Sequence, residues 1–280
     1  MNSYTLQKLA AFTSNPQGGN PAGVWVGETL PKPAEMQEIA SKVGFSETAF
    51  VAPNTGNKRT VRYYSPEAEV PFCGHATVAT GVALGQKSGS GTYIFETTVG
   101  DIPVEVSNSN GEIKAALTSV EPKFETAPEK LLTEALAALG WSKNELDMTI
   151  PPARAFAGNW HLVIAVKSKS RLDNLNYDFE KLKGLMLEDD LTTLQLIWCE
   201  NDQLVHSRNP FPVGGVVEDS ATGAAAVALG GYLRDAKLID SPKEINILQG
   251  EIMGRPSQLR LSIPKAGGIK VAGTAVPLIN

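Results

Sequence analysis

Three short segments of the chain carry residues able to move protons or hold an anion. The first is Gly44-Phe45-Ser46-Glu47-Thr48-Ala49-Phe50-Val51. Read as a β-strand, it places Phe45, Glu47, Ala49 and Val51 on one face. A carboxyl set among apolar groups is costly to ionise, which suits a proton shuttle working near neutral pH. The opposite register, with Ser46, Thr48 and Phe50 turned inward, leaves Glu47 solvated. The second segment, Val70-Pro71-Phe72-Cys73-Gly74-His75-Ala76-Thr77, enters a helix. A helix start offers unpaired amides and partial positive charge, a ready seat for a carboxylate. Gly74 admits close approach to the backbone there. Cys73 reads either as a thiol activated by the helix start or as a small core residue. His75 reads either as a donor to an anionic substrate or as a cap on its own backbone. The third segment, Gly214-Gly215-Val216-Val217-Glu218-Asp219-Ser220-Ala221-Thr222-Gly223-Ala224, repeats the design of strand, acid and helix start. Glu218 and Asp219 also suit a first helical turn by dipole alone.

Several chemistries drop out. The glycines of the third segment form neither a GxGxxG fingerprint nor a P-loop, so nucleotide binding is not expected. Two cysteines, Cys73 and Cys199, lie far apart, and His75, His161 and His206 have no HxxxH or HxH spacing. Neither a disulfide framework nor a structural zinc is predicted, and no metal or cofactor is expected. Lys and Arg number 25 against 30 Asp and Glu, a net charge of −5. That mild acidity argues against a general nucleic-acid or anionic-membrane binder. Met1 to Leu9 lacks a basic start followed by an apolar run, so it reads as a strand rather than a signal peptide. Ser220 to Leu233 is too short and too rich in Gly and Ala to span a bilayer. The default compartment is the cytoplasm.

The elements that must position these residues come in two echoing sets. Gly19-Asn20-Pro21-Ala22-Gly23-Val24 resembles Gly158-Asn159-Trp160-His161-Leu162-Val163. Val61-Arg62-Tyr63-Tyr64-Ser65-Pro66 resembles Val205-His206-Ser207-Arg208-Asn209-Pro210, and Cys73 to Ala79 resembles Ser220 to Ala226. Three echoes in one order imply two diverged copies, too few for a solenoid. Strands are expected over 5–12, 24–26, 48–52, 60–64, 93–97, 102–106, 162–166, 193–199, 203–207, 244–248, 259–263 and 268–272. Helices are expected over 34–43, 73–84, 129–139 and 221–233, with a crossover near 122–128. The 73–84 and 221–233 runs are small and uncharged enough to be central. Strands grouped about a central helix favour an α+β fold. Two such helix starts facing one cleft would hold a small acid and let groups from both sides act on one carbon.

Taken together, these motifs resemble the PhzF-like family of phenazine biosynthesis, whose fold is similar to diaminopimelate epimerase. The resemblance runs almost end to end. Beyond the segments above it includes Phe12-Thr13, Ser65-Pro66, Gln249-Gly250, Gly254-Arg255-Pro256-Ser257 and Ala272-Gly273-Thr274-Ala275-Val276. It implies two pseudo-symmetric lobes, each a mostly antiparallel sheet or barrel wrapped around a central helix. The expected lobes are 1–118 and 119–268, with a strand in 269–280 returning to the first. The resemblance gives Glu47 the role of proton shuttle, with His75 and Asp219 holding and polarising substrate. Asn20, Cys73, Gly74, Ser220, Thr222 and Gly223 are implied as substrate-binding residues. A serine that follows Thr-Gly in the phenazine enzyme falls on Ala224, so the phenazine substrate does not carry over with the family. The epimerase branch uses two cysteines. Cys73 matches the first but Ser220 stands at the second, and a serine is too weak an acid to replace it.

The expectation is a cofactor-independent isomerase of a small carboxylate-bearing substrate, acting through Glu47. A homodimer is implied, with no nucleic-acid or membrane partner. Two alternatives stand beside it: an amino-acid racemase or epimerase using Cys73, and a non-catalytic small-molecule binding protein.

Overall fold

The computed structural model describes residues 4–278; 1–3 and 279–280, parts of the expected first and last segments, lie outside the described residues. The chain divides into two units. Unit 1 holds the residues up to Thr118, Arg255–Ser257 and the segment from Ala272; unit 2 holds Ser119–Gly254 and Gln258–Val271. In chain order the elements are β1 (Tyr4–Ala11), β2 (Asn20–Gly27), α1 (Pro33–Val43), β3 (Glu47–Pro53), β4 (Lys58–Tyr64), β5 (Glu69–Val70), α2 (Gly74–Ser88), β6 (Gly91–Thr97), β7 (Gly100–Ser109) and β8 (Glu112–Thr118). There follow β9 (Lys123–Thr126), α3 (Glu129–Leu139), β10 (Ala153–Phe156), β11 (Trp160–Ala165), α4 (Lys169–Asp173), α5 (Phe179–Glu188), β12 (Leu191–Asn201) and β13 (Leu204–Phe211). The last are β14 (Val216–Asp219), α6 (Gly223–Asp235), β15 (Lys243–Gln249), β16 (Ser257–Ile263) and β17 (Lys270–Pro277).

Unit 1 is a closed barrel of eight strands. β1 pairs antiparallel with β2, β2 parallel with β3, β3 antiparallel with β4, and β4 parallel with β6. β6, β7 and β8 form an antiparallel meander, and β17 closes the ring between β8 and β1. Closure removes the unpaired edges that an open sheet would expose. Helix α2 fills the barrel: every residue from His75 to Gly85 is buried, against β1, β2, β3, β7 and β8. Small side chains make that possible. A Cβ on Gly81 would collide with Ala115 and press on Val104, so glycine there sets how closely α2 approaches β7 and β8. On the outer face α1 covers Trp25, Phe50 and Tyr64 with Met36 and Ala40.

Unit 2 repeats the plan. β11 and β12 are parallel where β2 and β3 are, and β13 and β15 are parallel where β4 and β6 are. Antiparallel pairs β12–β13 and β13–β14 match β3–β4 and β4–β5. Helix α6 is the central helix, buried from Ala225 to Arg234 against β9, β10, β11 and β12. Helices α3, α4 and α5 bury Leu131, Leu136, Leu172, Leu182 and Met186 with Leu162, Ile164, Leu194 and Leu196 of β11 and β12. Each unit is thus a mostly antiparallel α+β sheet around one helix.

Several elements differ from the sequence reading. The expected crossover near 122–128 contains β9, which pairs antiparallel with β10. β8, β10, α4, α5 and the short strand β5 are additional to the expected elements, while β14 is the strand expected ahead of the second helix start. The second central helix begins at Gly223 with Thr222 at its N-cap, so Ser220 and Ala221 precede it rather than open it. The last strand runs over Lys270–Pro277, past the 268–272 run and within the 269–280 segment expected to return to the first lobe, and it pairs with β1. No helix among the described residues is long and apolar enough to cross a membrane.

Candidate active site

In unit 1 the backbone brings together five expected residues, Asn20, Glu47, Cys73, Gly74 and His75, with Gly74 opening α2. Gly44, in the left-handed region at φ 74°, caps α1 and turns the chain toward β3. Glu47 opens β3 in register with Ala22 of β2, on the same face as Ala49 and Val51. Both faces of β3 are buried beyond that point, since Thr48 and Phe50 are enclosed as fully as Ala49 and Val51. Glu47, at the start of the strand, stays part-exposed, its side chain 21% accessible. Its burial is therefore that of a residue at a strand end, not of one sealed among apolar groups.

Cys73, extended at φ −144°, is the N-cap of α2, and His75 lies in its first turn. The His75 ring does not cap its own backbone. Its Nε2 stands 3.4 Å from Glu47 Oε2, and its Nδ1 is 3.2 Å from Asn20 Nδ2 and 3.4 Å from Cys73 Sγ. With the Asn20 amide donating to Nδ1, the neutral ring carries its proton on Nε2, the nitrogen nearest Glu47. Asn20, Cys73 and His75 are all buried.

Two supports were not legible as site residues. Thr77 Oγ1 donates to the Cys73 carbonyl at 2.7 Å and accepts from the Tyr63 hydroxyl at 2.7 Å, which pins the first turn of α2. Burial pushes the Tyr63 phenol well above its ordinary value, so it stays a donor. Arg255 donates from Nε to the Gly19 carbonyl and from Nη2 to the Gly18 carbonyl, both at 2.8 Å, and holds the loop that leads into Asn20. Gly19 sits at φ 69°, and a Cβ on Gly18 would strike the Pro256 carbonyl oxygen.

In unit 2 the acidic pair separates by role. Glu218 is claimed by Arg208, which grips both carboxylate oxygens at 2.9 and 2.6 Å. Asp219 turns to the start of α6, where its Oδ2 accepts from Thr222 Oγ1 at 2.6 Å. Gln249 of β15 ties the corner together. Its Oε1 accepts from the Thr222 amide at 3.1 Å, and its Nε2 donates to the Asp219 carbonyl and to Thr222 Oγ1. The Thr222 amide, expected to be offered to an anion, is thus already engaged by Gln249. Ser220 is buried and Gly223 opens the helix.

What this arrangement can do is exchange a proton. A part-exposed carboxyl beside an imidazole of fixed orientation, at a helix start able to hold an anion, fits general acid–base work. A sheet around a central helix, repeated, with such groups at the helix start, defines the diaminopimelate-epimerase-like α+β class. Within that class, residues 9–280 match the family model described as phenazine biosynthesis-like protein, PhzC-PhzF, and the chain belongs to this family of PhzF-like isomerases. It is 31% identical to the uncharacterized isomerase YfhB of Bacillus subtilis over 99% of this chain and 97% of that one. It is 32% identical to the trans-2,3-dihydro-3-hydroxyanthranilate isomerase of Pseudomonas fluorescens, again over 99% and 97%. The crystal structure of a PhzF-family protein from Bacillus anthracis superposes with a TM-score of 0.84 at 27% identity, covering 100% of this chain and 98% of that one.

Proposed function

We propose that the protein is a cofactor-independent isomerase of a small carboxylate-bearing substrate. Glu47 takes a proton from one carbon and, as the acid so formed, returns it to another, so the substrate leaves with its atoms unchanged in number. His75 polarises the substrate from the start of α2, and the Gly74 and His75 amides receive its carboxylate. Asn20 and Cys73 complete the binding surface of unit 1, and Asp219, Ser220, Thr222 and Gly223 line the corresponding corner of unit 2. The observation that carries this reading is Glu47 Oε2 at 3.4 Å from His75 Nε2, with the ring held by Asn20 from its other nitrogen.

A thermal-shift screen of small carboxylic acids, followed by solvent-deuterium incorporation into each hit, tests it. Glu47→Gln keeps size and hydrogen bonding while removing proton transfer. Ligand-induced stabilisation is expected to persist while exchange falls about 10²–10⁴-fold. Exchange at the wild-type rate in that variant sinks the assignment of Glu47.

A second reading is favoured by one contact, Cys73 Sγ at 3.4 Å from His75 Nδ1, the geometry of a thiol beside a base. In that reading the thiolate abstracts the proton. Iodoacetamide separates the two: alkylation that spares exchange removes the thiol mechanism.

A further inference from the structure

His206 of β13 takes no part in the proposed reaction, yet a carboxylate faces each of its ring nitrogens. Nδ1 stands 2.9 Å from Glu251 Oε2, and Nε2 stands 2.8 Å from Glu200 Oε2. The ring is buried, its side chain 7% accessible, and lies 5.2 Å from the Trp198 ring. The two carboxylates are far more open, at 47% for Glu200 and 42% for Glu251. A carboxylate only accepts hydrogen bonds, so both contacts are hydrogen bonds only when both ring nitrogens carry protons. A neutral ring has one N–H; it keeps one carboxylate and turns a lone pair on the other. Imidazole is the side chain suited to that change between about pH 5 and 8.

The other charges around the ring are already matched. Arg208 of β13 is paired with Glu218 of β14, and Asp173 of α4 with Lys169. The residue of β15 in register with His206 is Leu248, which carries no charge. The two carboxylate arms are anchored differently. Glu200 belongs to β12, which pairs with β13, the strand of the ring itself. Glu251 lies in the turn after β15, where the Met253 amide donates to the Gly250 carbonyl and the Gly254 amide to the Glu251 carbonyl. Those bonds stay within the turn, and the Glu251 side chain ties it to β13. Two residues before Glu251 stands Gln249, which holds the Thr222 amide and the Asp219 carbonyl.

We propose that His206 is a proton-operated latch on the Gly250–Gly254 turn. With both nitrogens protonated, the ring holds Glu200 and Glu251 and keeps the turn closed. On losing the Nδ1 proton it releases Glu251, the arm with the weaker backbone anchorage, and slackens the grip of Gln249 on the start of α6. The latch is closed on the acid side of the imidazole range, as long as both carboxylates are ionised, and opens as pH rises through that range. His206 acts through Gln249 and is a positioning residue. Neither half of the claim depends on which reaction the protein performs.

NMR on the full chain without ligand tests it. The His206 Cε1–H signal, assigned by its loss in His206→Gln, follows the charge of the ring. Amide exchange, corrected for the pH dependence of intrinsic exchange, follows the turn. Protection of the Met253 and Gly254 amides is expected to fall about tenfold or more between about pH 5.5 and 8, in step with the ring signal, the scale of one charge-assisted hydrogen bond. The Thr222 amide, which reports on Gln249, should lose protection over the same range. Glu251→Gln is the decisive variant, at a half-exposed position where folding is not at stake. Its amide can donate to Nδ1 of the neutral ring, so the turn should stay protected at about pH 8 and the step should vanish. A step that survives in Glu251→Gln, a ring that does not titrate between about pH 5 and 8, or turn amides of constant protection across that range overturns the latch. A Thr222 amide that keeps its protection while the turn loses its own overturns the link through Gln249.

Discussion

Asn20 illustrates how a single side chain sets the chemistry of its neighbour. Its Nδ2 is 3.2 Å from His75 Nδ1, on the side of the ring away from Glu47. Removing it leaves the imidazole free to turn and to change tautomer, so the nitrogen beside Glu47 loses its fixed role. Asn20→Ala is expected to slow solvent-proton exchange by about 10²-fold, the scale of loss for misplacing a catalytic group by about an ångström. Ligand binding measured by thermal shift should weaken less than exchange slows, and equal losses in both would mean that Asn20 contacts substrate without also setting the ring. Residues of this kind were legible only in part. Glu47, Cys73, His75 and Asp219 could be singled out because acids, thiol and imidazole announce their chemistry at a helix or strand start; the structure sets His75 against Glu47 and Cys73, and Asp219 at the start of α6. Gln249 and Arg255 could not, since their partners lie 27 and 236 residues away in sequence. An amide or a guanidinium on a strand or loop has no local pattern that tells a support from a solvated surface group.

At the scale of elements, the central helices were the easiest to read and the outer ones the hardest. α2 and α6 are uncharged over most of their length, a pattern that only a buried helix tolerates. β9 reads Lys-Phe-Glu-Thr and is exposed throughout, so its strand state comes from backbone pairing with β10 and not from apolar alternation. α5 did carry a signal, since Leu182, Leu185 and Met186 fall at helical spacing and all three are buried. It was obscured by Gly184 within the run and by the Lys and Glu residues around it. The junction between β14 and α6 depends on one side chain from a third element, Gln249 of β15. Gln249→Leu removes the acceptor for the Thr222 amide and the donor to the Asp219 carbonyl in a buried corner. The expected cost is about 1–3 kcal/mol in urea-induced unfolding, the penalty for buried polar groups that lose a partner. A change below about 0.5 kcal/mol would mean that the corner is held by its backbone, since surface substitutions commonly stay within that range.

Across the whole molecule, the two units keep one plan and diverge at the position that Glu47 occupies in unit 1. Where unit 1 sets Ala22 opposite Glu47, the matching parallel pair in unit 2 sets His161 opposite Thr193. The part-exposed acid of one pair has a buried threonine as its counterpart, and the alanine opposite it has a fully buried imidazole. His161 Nδ1 lies 2.8 Å from Thr193 Oγ1. Asn209 Nδ2 donates to Thr193 Oγ1 and Gln195 Oε1, and Ser207 Oγ donates to Asn209 Oδ1. The other ring nitrogen, Nε2, is buried and finds no partner among the described residues, so nothing there repays the cost of a second ring proton. Burial holds His161 down to about 3, against an ordinary value of 6.5. The unfolded chain therefore takes up a proton as pH falls through about 6.5, while the native protein takes none until about 3. Stability from this group is complete above the unfolded value and is lost as pH drops through that window, by at most about 1.4 kcal/mol per pH unit. Urea unfolding between pH 7 and pH 4 should show that slope, superposed on the contribution of the carboxylates. His161→Asn should start from lower stability at pH 7 and show a shallower fall by up to that amount per unit. An unchanged slope in the variant would mean that His161 protonates in the native state, and that the polar cluster around it opens to solvent well above pH 3.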